Sequence, residues 1–109
     1  MAEACLHPSD CPVERTLGVI GGRWKPLILY HLRRDKRRFN ELRRLMPNVT
    51  QRMLTQHLRE LEDDGIVTRT VHPVVPPHVD YALTALGLTL LPVMDVMADW
   101  GNRPTVRRR

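Results

Sequence analysis

The sequence predicts a mainly α-helical domain with a small β-hairpin wing, an α+β arrangement. Three observations predict it. Apolar residues recur at helical spacing along most of the chain, Pro and Gly separate these stretches, and two alternating segments rich in β-branched residues lie close together. The chain has 109 residues, of which 42% are hydrophobic and 27% charged, so we expect one globular domain rather than a two-domain enzyme.

Two short segments are expected to flank this domain. Residues 1–10 are polar and contain Pro8, which indicates a flexible N-terminal arm. The domain spans residues 11–101 and ends in a dimerisation helix, and residues 102–109 form a basic tail. The sequence has neither a run of about 18 apolar residues nor a signal-peptide pattern, so it predicts a cytoplasmic protein without a membrane segment.

Proline and glycine mark the ends of the first two helices. Cys11 and Pro12 open the first helix, because proline is favoured at the first helical position, and the pair Gly21-Gly22 ends it. Trp24 and Pro26 begin a second helix, whose dense apolar residues predict a central position in the fold.

Two further helices are predicted to meet across a tight turn. Asn40 is expected to cap a short helix over residues 41–46, and Asn48 to adopt the left-handed conformation of the turn that follows. Thr50 caps the fourth helix, which stops near Gly65.

The fourth helix is predicted to have one apolar and one polar, basic face. Leu54, Leu58 and Leu61 fall within a narrow arc at helical spacing, which indicates the buried face. The opposite face carries Arg52, Thr55, Gln56 and Arg59. Such a face is often merely solvated, so its meaning depends on its structural context.

A hairpin and a long helix complete the predicted fold. Residues 66–72 and 79–83 alternate as strands do, and the proline-rich residues between them predict a stiff tip. Thr84 caps a last helix that Gly101 closes, and Pro92 should either kink this helix or divide it in two.

This order of helices, basic turn and hairpin is that of a winged helix-turn-helix. An α-helix fits the major groove of DNA, and a hairpin beside it can reach the backbone or the minor groove. The 17 Lys and Arg exceed the 12 Asp and Glu, which gives a net charge of +5 and favours a polyanionic partner. The sequence therefore predicts a protein that binds double-stranded DNA.

Seven segments, in this order and spacing, resemble those of a known family. They are Cys11-Pro-Val-Glu-Arg, Gly21-Gly-Arg-Trp24, Arg38-Phe39-Asn-Glu-Leu42, Thr50-Gln-Arg-Met-Leu-Thr55, Leu58-Arg-Glu-Leu-Glu62, Gly65-Ile-Val and Val75-Pro-Pro-His-Val-Asp-Tyr81-Ala-Leu-Thr-Ala-Leu-Gly87. Together they resemble the HxlR-type winged-helix transcriptional regulators of bacteria and archaea, relatives of the MarR group. The resemblance implies a homodimer joined through its first and last helices, with two recognition helices in successive major grooves. It also implies that Cys11, before the Pro-Val pair, can sense oxidants or electrophiles.

We expect ten residues to contact DNA. They are Arg38, Arg43, Thr50, Gln51, Arg52, Thr55, Gln56, Arg59, Arg69 and His78. Side chains near the start of the fourth helix should reach the bases, because Arg pairs with guanine and Gln with adenine, whereas Arg59 should hold phosphate. A dimer would place two such helices on an inverted-repeat operator.

The last helix is apolar over more of its circumference than one small core can cover. Its predicted dimer anchors are Leu90, Met94, Met97 and Trp100. Cys11 at a helix start meets the positive end of the helix dipole, which favours a reactive thiolate, but it can equally be a small structural residue.

Two alternatives to DNA binding stay open. One is a winged-helix module that contacts only proteins, and the other is a metal sensor that uses Cys5, His7 and Cys11 of the arm. No glycine-rich phosphate loop and no acid-base pair for catalysis are found, so the sequence predicts neither an enzyme nor a cofactor.

Overall fold

A computed structural model describes residues 10–108 and confirms the predicted fold class. The elements are α1 (Pro12–Ile20), α2 (Lys25–Leu32), β1 (Arg37–Arg38), α3 (Phe39–Leu45), α4 (Gln51–Asp63), β2 (Val67–His72), β3 (His78–Leu83), α5 (Ala85–Leu88) and α6 (Leu90–Gly101). The three strands form an antiparallel sheet in the order β1-β3-β2. The described residues do not include residues 1–9 of the predicted arm or Arg109 of the predicted tail.

α1 begins and ends as predicted, and α2 begins as predicted. α1 has Pro12 in its first turn, and Gly21 follows its last residue. The Gly21 N–H donates to the Leu17 carbonyl at 2.6 Å, and a Cβ on Gly21 would lie only 2.2 Å from that oxygen. Gly22 then takes a φ of 92°, which is open to glycine and costly for other residues. This glycine pair turns the chain into α2.

The sheet contains a strand that the sequence analysis did not predict. Arg37 pairs with Tyr81 and Arg38 with Asp80, so β1 adds a third strand beside the hairpin where only a basic loop was expected. Two residues are too few to show alternation, and their pairing depends on a strand far along the chain.

The start of α3 and the turn after it also differ from the prediction. α3 begins at Phe39, and its N-cap is Arg38 rather than Asn40. The Arg38 N–H donates to the Glu41 carboxylate at 2.8 Å, and this bond replaces the expected cap. No residue other than glycine has positive φ within residues 10–108, so the left-handed conformation expected for Asn48 is wrong.

α4 agrees with its sequence signals at both ends and on both faces. The Thr50 hydroxyl accepts a hydrogen bond from the Met53 N–H at 3.1 Å, and Gly65 takes a φ of 75° after the helix. The three predicted leucines are fully buried and contact the same core as Ile28 and Leu29 of α2. Burial of one such side chain contributes about 1.5–3 kcal/mol. The core thus holds α4 with its polar face outward.

The last predicted helix is divided in two, which resolves the alternative that the sequence left open. α5 ends at Leu88, and α6 begins at Leu90 with Pro92 in its first turn. Proline cannot donate to the carbonyl four residues earlier, and its ring clashes with that group, so a continuous helix is disfavoured at Leu88. α6 includes Gly101 and is capped by Asn102, one residue later than predicted.

Candidate nucleic-acid interface

The outer face of α4 presents half of the ten predicted DNA-contacting residues together. One open cavity of about 540 Å³ is lined by Gln51, Arg52, Thr55, Gln56 and Arg59. All five side chains are exposed, and no core residue separates them. The predicted grouping on one face is therefore present, and its contact with DNA stays a prediction.

The beginning of α4 is joined to α3 through Arg43, one of the predicted DNA-contacting residues. Arg43 Nη1 lies 3.4 Å from Gln51 Oε1, at the long limit for a hydrogen bond. Thr50 is exposed at the start of the helix, and its hydroxyl is used as the helix cap. These contacts orient the end of α4 that the prediction places nearest the bases.

Gln56 is held by a charge cluster on the next turn of α4. Its Nε2 donates to Glu60 Oε2 at 2.9 Å, and Lys25 Nζ of α2 lies 2.8 Å from Glu60 Oε1. The hydrogen bonds from Lys25 and Gln56 to the carboxylate lower the pKa of Glu60 to about 2. Glu60 therefore stays ionised at neutral pH and positions the Gln56 amide.

A second cavity lies between α4 and the inner face of the sheet. Its volume is about 410 Å³, and Arg59 from α4 and Arg69 from β2 are among the residues that line it. Arg69 pairs across the strands with Tyr81, so both side chains project to the same face of the sheet. Two predicted DNA-binding arginines from different elements thus flank one groove.

Arg38 and His78 lie apart from these residues, on the outer face of the sheet. Arg38 is paired with Asp80 across β1 and β3, and His78 with His72 across β2 and β3. Residues opposite each other, or two apart, share a face in a strand, so all four project outward. The structure therefore divides the ten predicted residues between two surfaces.

Asp80 organises the outer face of the sheet. Its carboxylate is nearly buried and lies 2.7 Å from His72 Nε2, 3.7 Å from Lys36 Nζ and 4.0 Å from Arg38 Nε. Burial raises the pKa of Asp80, but the hydrogen bond from His72 and the charges of His72, Lys36 and His78 outweigh it, so the net pKa is lowered. This cluster was not predicted from the sequence, although the spacing of His78 and Asp80 in a strand could have indicated a shared face.

The predicted dimer anchors lie on α6, where no residue is buried. Leu90 and Met94 are partly covered by the core, whereas Met97 is 46% and Trp100 59% exposed. Further exposed apolar side chains on α1 and α6 are Val13, Leu17, Val93 and Val96. As expected for the last helix, α6 has more apolar side chains than the core of this chain covers.

Cys11 is the N-cap residue of α1, as its predicted position requires. Its carbonyl accepts a hydrogen bond from the Arg15 N–H at 3.1 Å, and its sulfur is in a disulfide. Cys5 and His7, the other members of the alternative metal site, lie outside the described residues. Within residues 10–108 the helices have at most 13 residues, and none has the length and hydropathy of a membrane span.

Comparisons with known proteins agree with this architecture. A profile of the HxlR-like helix-turn-helix family matches residues 19–108. YdeP of Bacillus subtilis, described as an HTH-type transcriptional regulator, is 58% identical over 93 residues, which cover 85% of this chain and 73% of YdeP.

Solved structures show the same likeness. The oxidised form of the redox regulator HypR has a TM-score of 0.80 and 57% identity, and the match covers 87% of this chain and 100% of HypR. The reduced form of the transcriptional regulator YodB from B. subtilis has a TM-score of 0.78 and 35% identity, with 87% of this chain and 94% of YodB covered. The chain therefore belongs to the HxlR-like helix-turn-helix family of transcriptional regulators.

Proposed function

We propose that the chain regulates transcription as a homodimer that binds double-stranded DNA in a sequence-specific manner. The observation that carries this proposal is the outer face of α4, where exposed Arg, Gln and Thr side chains lie together on a helix anchored by three buried leucines. A helix of this kind fits the major groove, and Arg and Gln side chains can form paired hydrogen bonds with base edges.

Two kinds of contact are assigned to the proposed interface. Gln51, Arg52, Thr55 and Gln56 contact bases, because they lie on the first turns of α4. Phosphates are contacted by Arg59 and Arg69, which flank the groove beside the sheet, and by Arg43. Arg38 and His78 extend the phosphate-binding surface to the outer face of the wing, where Asp80 offsets part of their charge.

Binding to DNA is tested first with fragments selected from a random pool by the purified protein. Fluorescence anisotropy at several salt concentrations should then show that the logarithm of the affinity falls linearly with the logarithm of salt. The selected sequence should be an inverted repeat whose half-sites are centred about 34 Å apart, or a multiple of that distance. A single unsymmetrical half-site would contradict the dimeric part of the proposal.

The exposed apolar faces of α1 and α6 support the dimer. Val13 and Leu17 of α1 are 57% and 47% exposed, and Met97 and Trp100 of α6 are 46% and 59% exposed. A second copy of the chain has the same apolar faces, and a two-fold arrangement of two copies would bury the faces of α1 and α6 of both subunits. Light scattering at micromolar concentration should give twice the mass of the 12.7 kDa chain.

We further infer that the oxidation state of Cys11 controls DNA affinity. HypR is a redox regulator by name, and Cys11 stands at the start of α1, next to the proposed dimer surface. Reduction of the disulfide that holds Cys11 would release the start of α1, and a small rotation between subunits would misalign one recognition helix.

This redox proposal is tested by measuring operator affinity after dithiothreitol and after diamide, which oxidises two thiols to one disulfide. The affinity should differ between the two treatments in the parent chain and be equal in Cys11→Ser. Cys5→Ser is the second variant, because Cys5 is the other cysteine of the chain. It should behave like Cys11→Ser if the disulfide forms within one chain, and it should keep the response if Cys11 pairs with Cys11 of a second subunit. Equal affinities of the parent chain after both treatments would show that Cys11 is structural.

A further inference from the structure

The outer face of the wing brings together three side chains that commonly bind transition metals. His72, His78 and Asp80 each offer one ligand atom, and these atoms lie within 4.8 Å of one another. The cluster is distinct from the cysteines and histidine of the N-terminal arm. It is also separate from the outer face of α4.

The strand register places these three residues together. His72 and His78 are direct cross-strand partners at the end of the hairpin, and Asp80 follows His78 by two residues on the same face. The two imidazole rings are stacked, with their centres 4.5 Å apart and their planes inclined by 27°. His72 Nε2 already lies 2.7 Å from Asp80 Oδ2, so both groups point to one location.

The dimensions of this cluster suit a single ion. Zinc holds imidazole nitrogen and carboxylate oxygen at about 2.0–2.2 Å, so ligand atoms around one ion are separated by no more than about 4 Å. The ligand atoms lie up to 4.8 Å apart here, so side-chain movements of about 1 Å would bring them to the separation found around zinc. The residues also line an open cavity of about 550 Å³, through which an ion can enter.

Charged groups around the cluster both attract and repel a bound cation. The Asp80 carboxylate is nearly buried, and the Lys36 ammonium at 3.7 Å is the nearest exposed cation to it. Lys36 is 61% exposed on a long flexible side chain, so it can move away when an ion binds. Arg38 stays within 4.0 Å of the same carboxylate, and its charge opposes an added ion.

We propose that His72, His78 and Asp80 form a binding site for a divalent transition-metal ion, with Zn²⁺ as the ion that fits its two nitrogen and one oxygen ligands. Imidazole ligands favour zinc and its neighbours in the transition series over Mg²⁺ and Ca²⁺. Three protein ligands leave a fourth zinc position for water. This site does not depend on DNA binding and can be tested without an operator.

The test is calorimetric titration of Zn²⁺ into the full chain, without a histidine tag. Cys5→Ser and Cys11→Ser are included in every sample, so that the thiols of the arm cannot contribute. We expect one saturable site, with the affinity reduced about tenfold or more by His72→Gln or by His78→Gln. Thr70→Ala is the matched control, because Thr70 pairs with Asp80 on the same face and is not a ligand.

A second variant tests the electrostatic argument in the opposite direction. Lys36→Gln removes a cation from the neighbourhood of Asp80 and should tighten zinc binding severalfold. An accidental site elsewhere on the chain would not respond to this change. Mg²⁺ at millimolar concentration should not displace the bound zinc.

Nuclear magnetic resonance of the unsubstituted, reduced chain avoids any effect of substitutions on folding. Zinc should perturb the imidazole signals of His72 and His78 and leave those of His31 and His57 unchanged. The proposal is overturned if no saturable binding occurs in the cysteine-free background, or if His72→Gln binds as tightly as its parent. Binding that disappears with the two cysteines would also overturn it and would place the ion on the arm.

Discussion

α4 and α6 each leave one face uncovered by the chain, and these two faces have opposite chemistry. α4 buries three leucines and presents polar side chains such as Arg52 and Gln56. α6 buries no residue, and its exposed side chains include Val96 and Trp100. A polar face is stable in water and can accept a polyanion, whereas a group of apolar side chains is stabilised by another apolar surface.

The two helices also differ in what attaches them to the rest of the chain. α4 belongs to the core that joins α2, α3 and the sheet. α6 contributes only Leu90 and Met94 to the margin of that core, and Asp95 forms a two-point ion pair with Arg33 at 2.7 and 2.8 Å. Because exposed ion pairs contribute little, α6 should depend on a second subunit more than α4 does.

The largest expected effect comes from removing the core anchor of α4. Leu58→Ala should lower the free energy of unfolding by about 2–5 kcal/mol, because the lost methyl groups leave a cavity in a closed core. Urea unfolding monitored by circular dichroism measures it. Met53→Ala on the exposed part of the same helix is the control and should cost much less. Equal losses would mean that α4 is not anchored as described.

The corresponding change on α6 should affect association rather than folding of the subunit. Trp100→Ala should weaken dimerisation about 30-fold or more, a loss of about 2 kcal/mol that is typical of an aromatic anchor. Sedimentation equilibrium measures it, and circular dichroism should show that helix content is kept. Asp99→Ala, on a neighbouring exposed position, is the control. An unchanged dimer in Trp100→Ala would remove this face from the proposed interface.

Within the polar surface, substitutions should separate base contacts from phosphate contacts. Arg52→Ala should cost about 1–3 kcal/mol at the cognate operator and relax the preference at one base pair. Arg43→Ala should weaken binding to all sequences and reduce the salt slope by about one. Anisotropy with a panel of single-base operator variants measures both. Arg103→Ala, an exposed arginine beyond α6, is the control, and uniform losses in both test variants would show that the recognition surface is misplaced.

The smallest effect concerns the carboxylate that positions Gln56. Since the folded-state pKa of Glu60 is lowered from 4.5 to about 2, its stabilising contribution is full above pH 4.5 and is lost as the pH falls towards 2. Glu60→Gln should therefore reduce the dependence of the unfolding free energy on pH in this window. Lys25→Gln should reduce it as well, and the two changes together should do little more than one. Additive effects would contradict the ion pair.

Much of the fold could be predicted because its signals are local. Pro12, Thr50 and Gly65 each act on the backbone within a few residues, so the ends of α1 and α4 could be assigned before the structure. The leucine spacing of α4 also identified both the buried face and the candidate contact face. The exact ends of α3 were wrong, because the cap is a contact between Arg38 and Glu41 and not a property of Asn40.

The candidate site was predicted less completely than the fold. The sequence indicated ten DNA-binding residues but not their division between the surface around α4 and the outer face of the sheet. That division follows from strand register, because a shift of one residue would move every side chain to the other face. Register is set by pairing among three strands, one of which has only two residues.

Local patterns along the chain were enough to predict the helix-turn-helix order, the buried leucines of α4, the proline-rich tip of the wing and the apolar excess of the last helix. Each of these depends on residue type and spacing over a few turns of chain. Two features emerge only when the chain is folded. They are the third strand and the cluster of Lys36, Arg38, His72 and His78 around Asp80. Both depend on hydrogen bonds and charges that act through space, between segments that no local period connects.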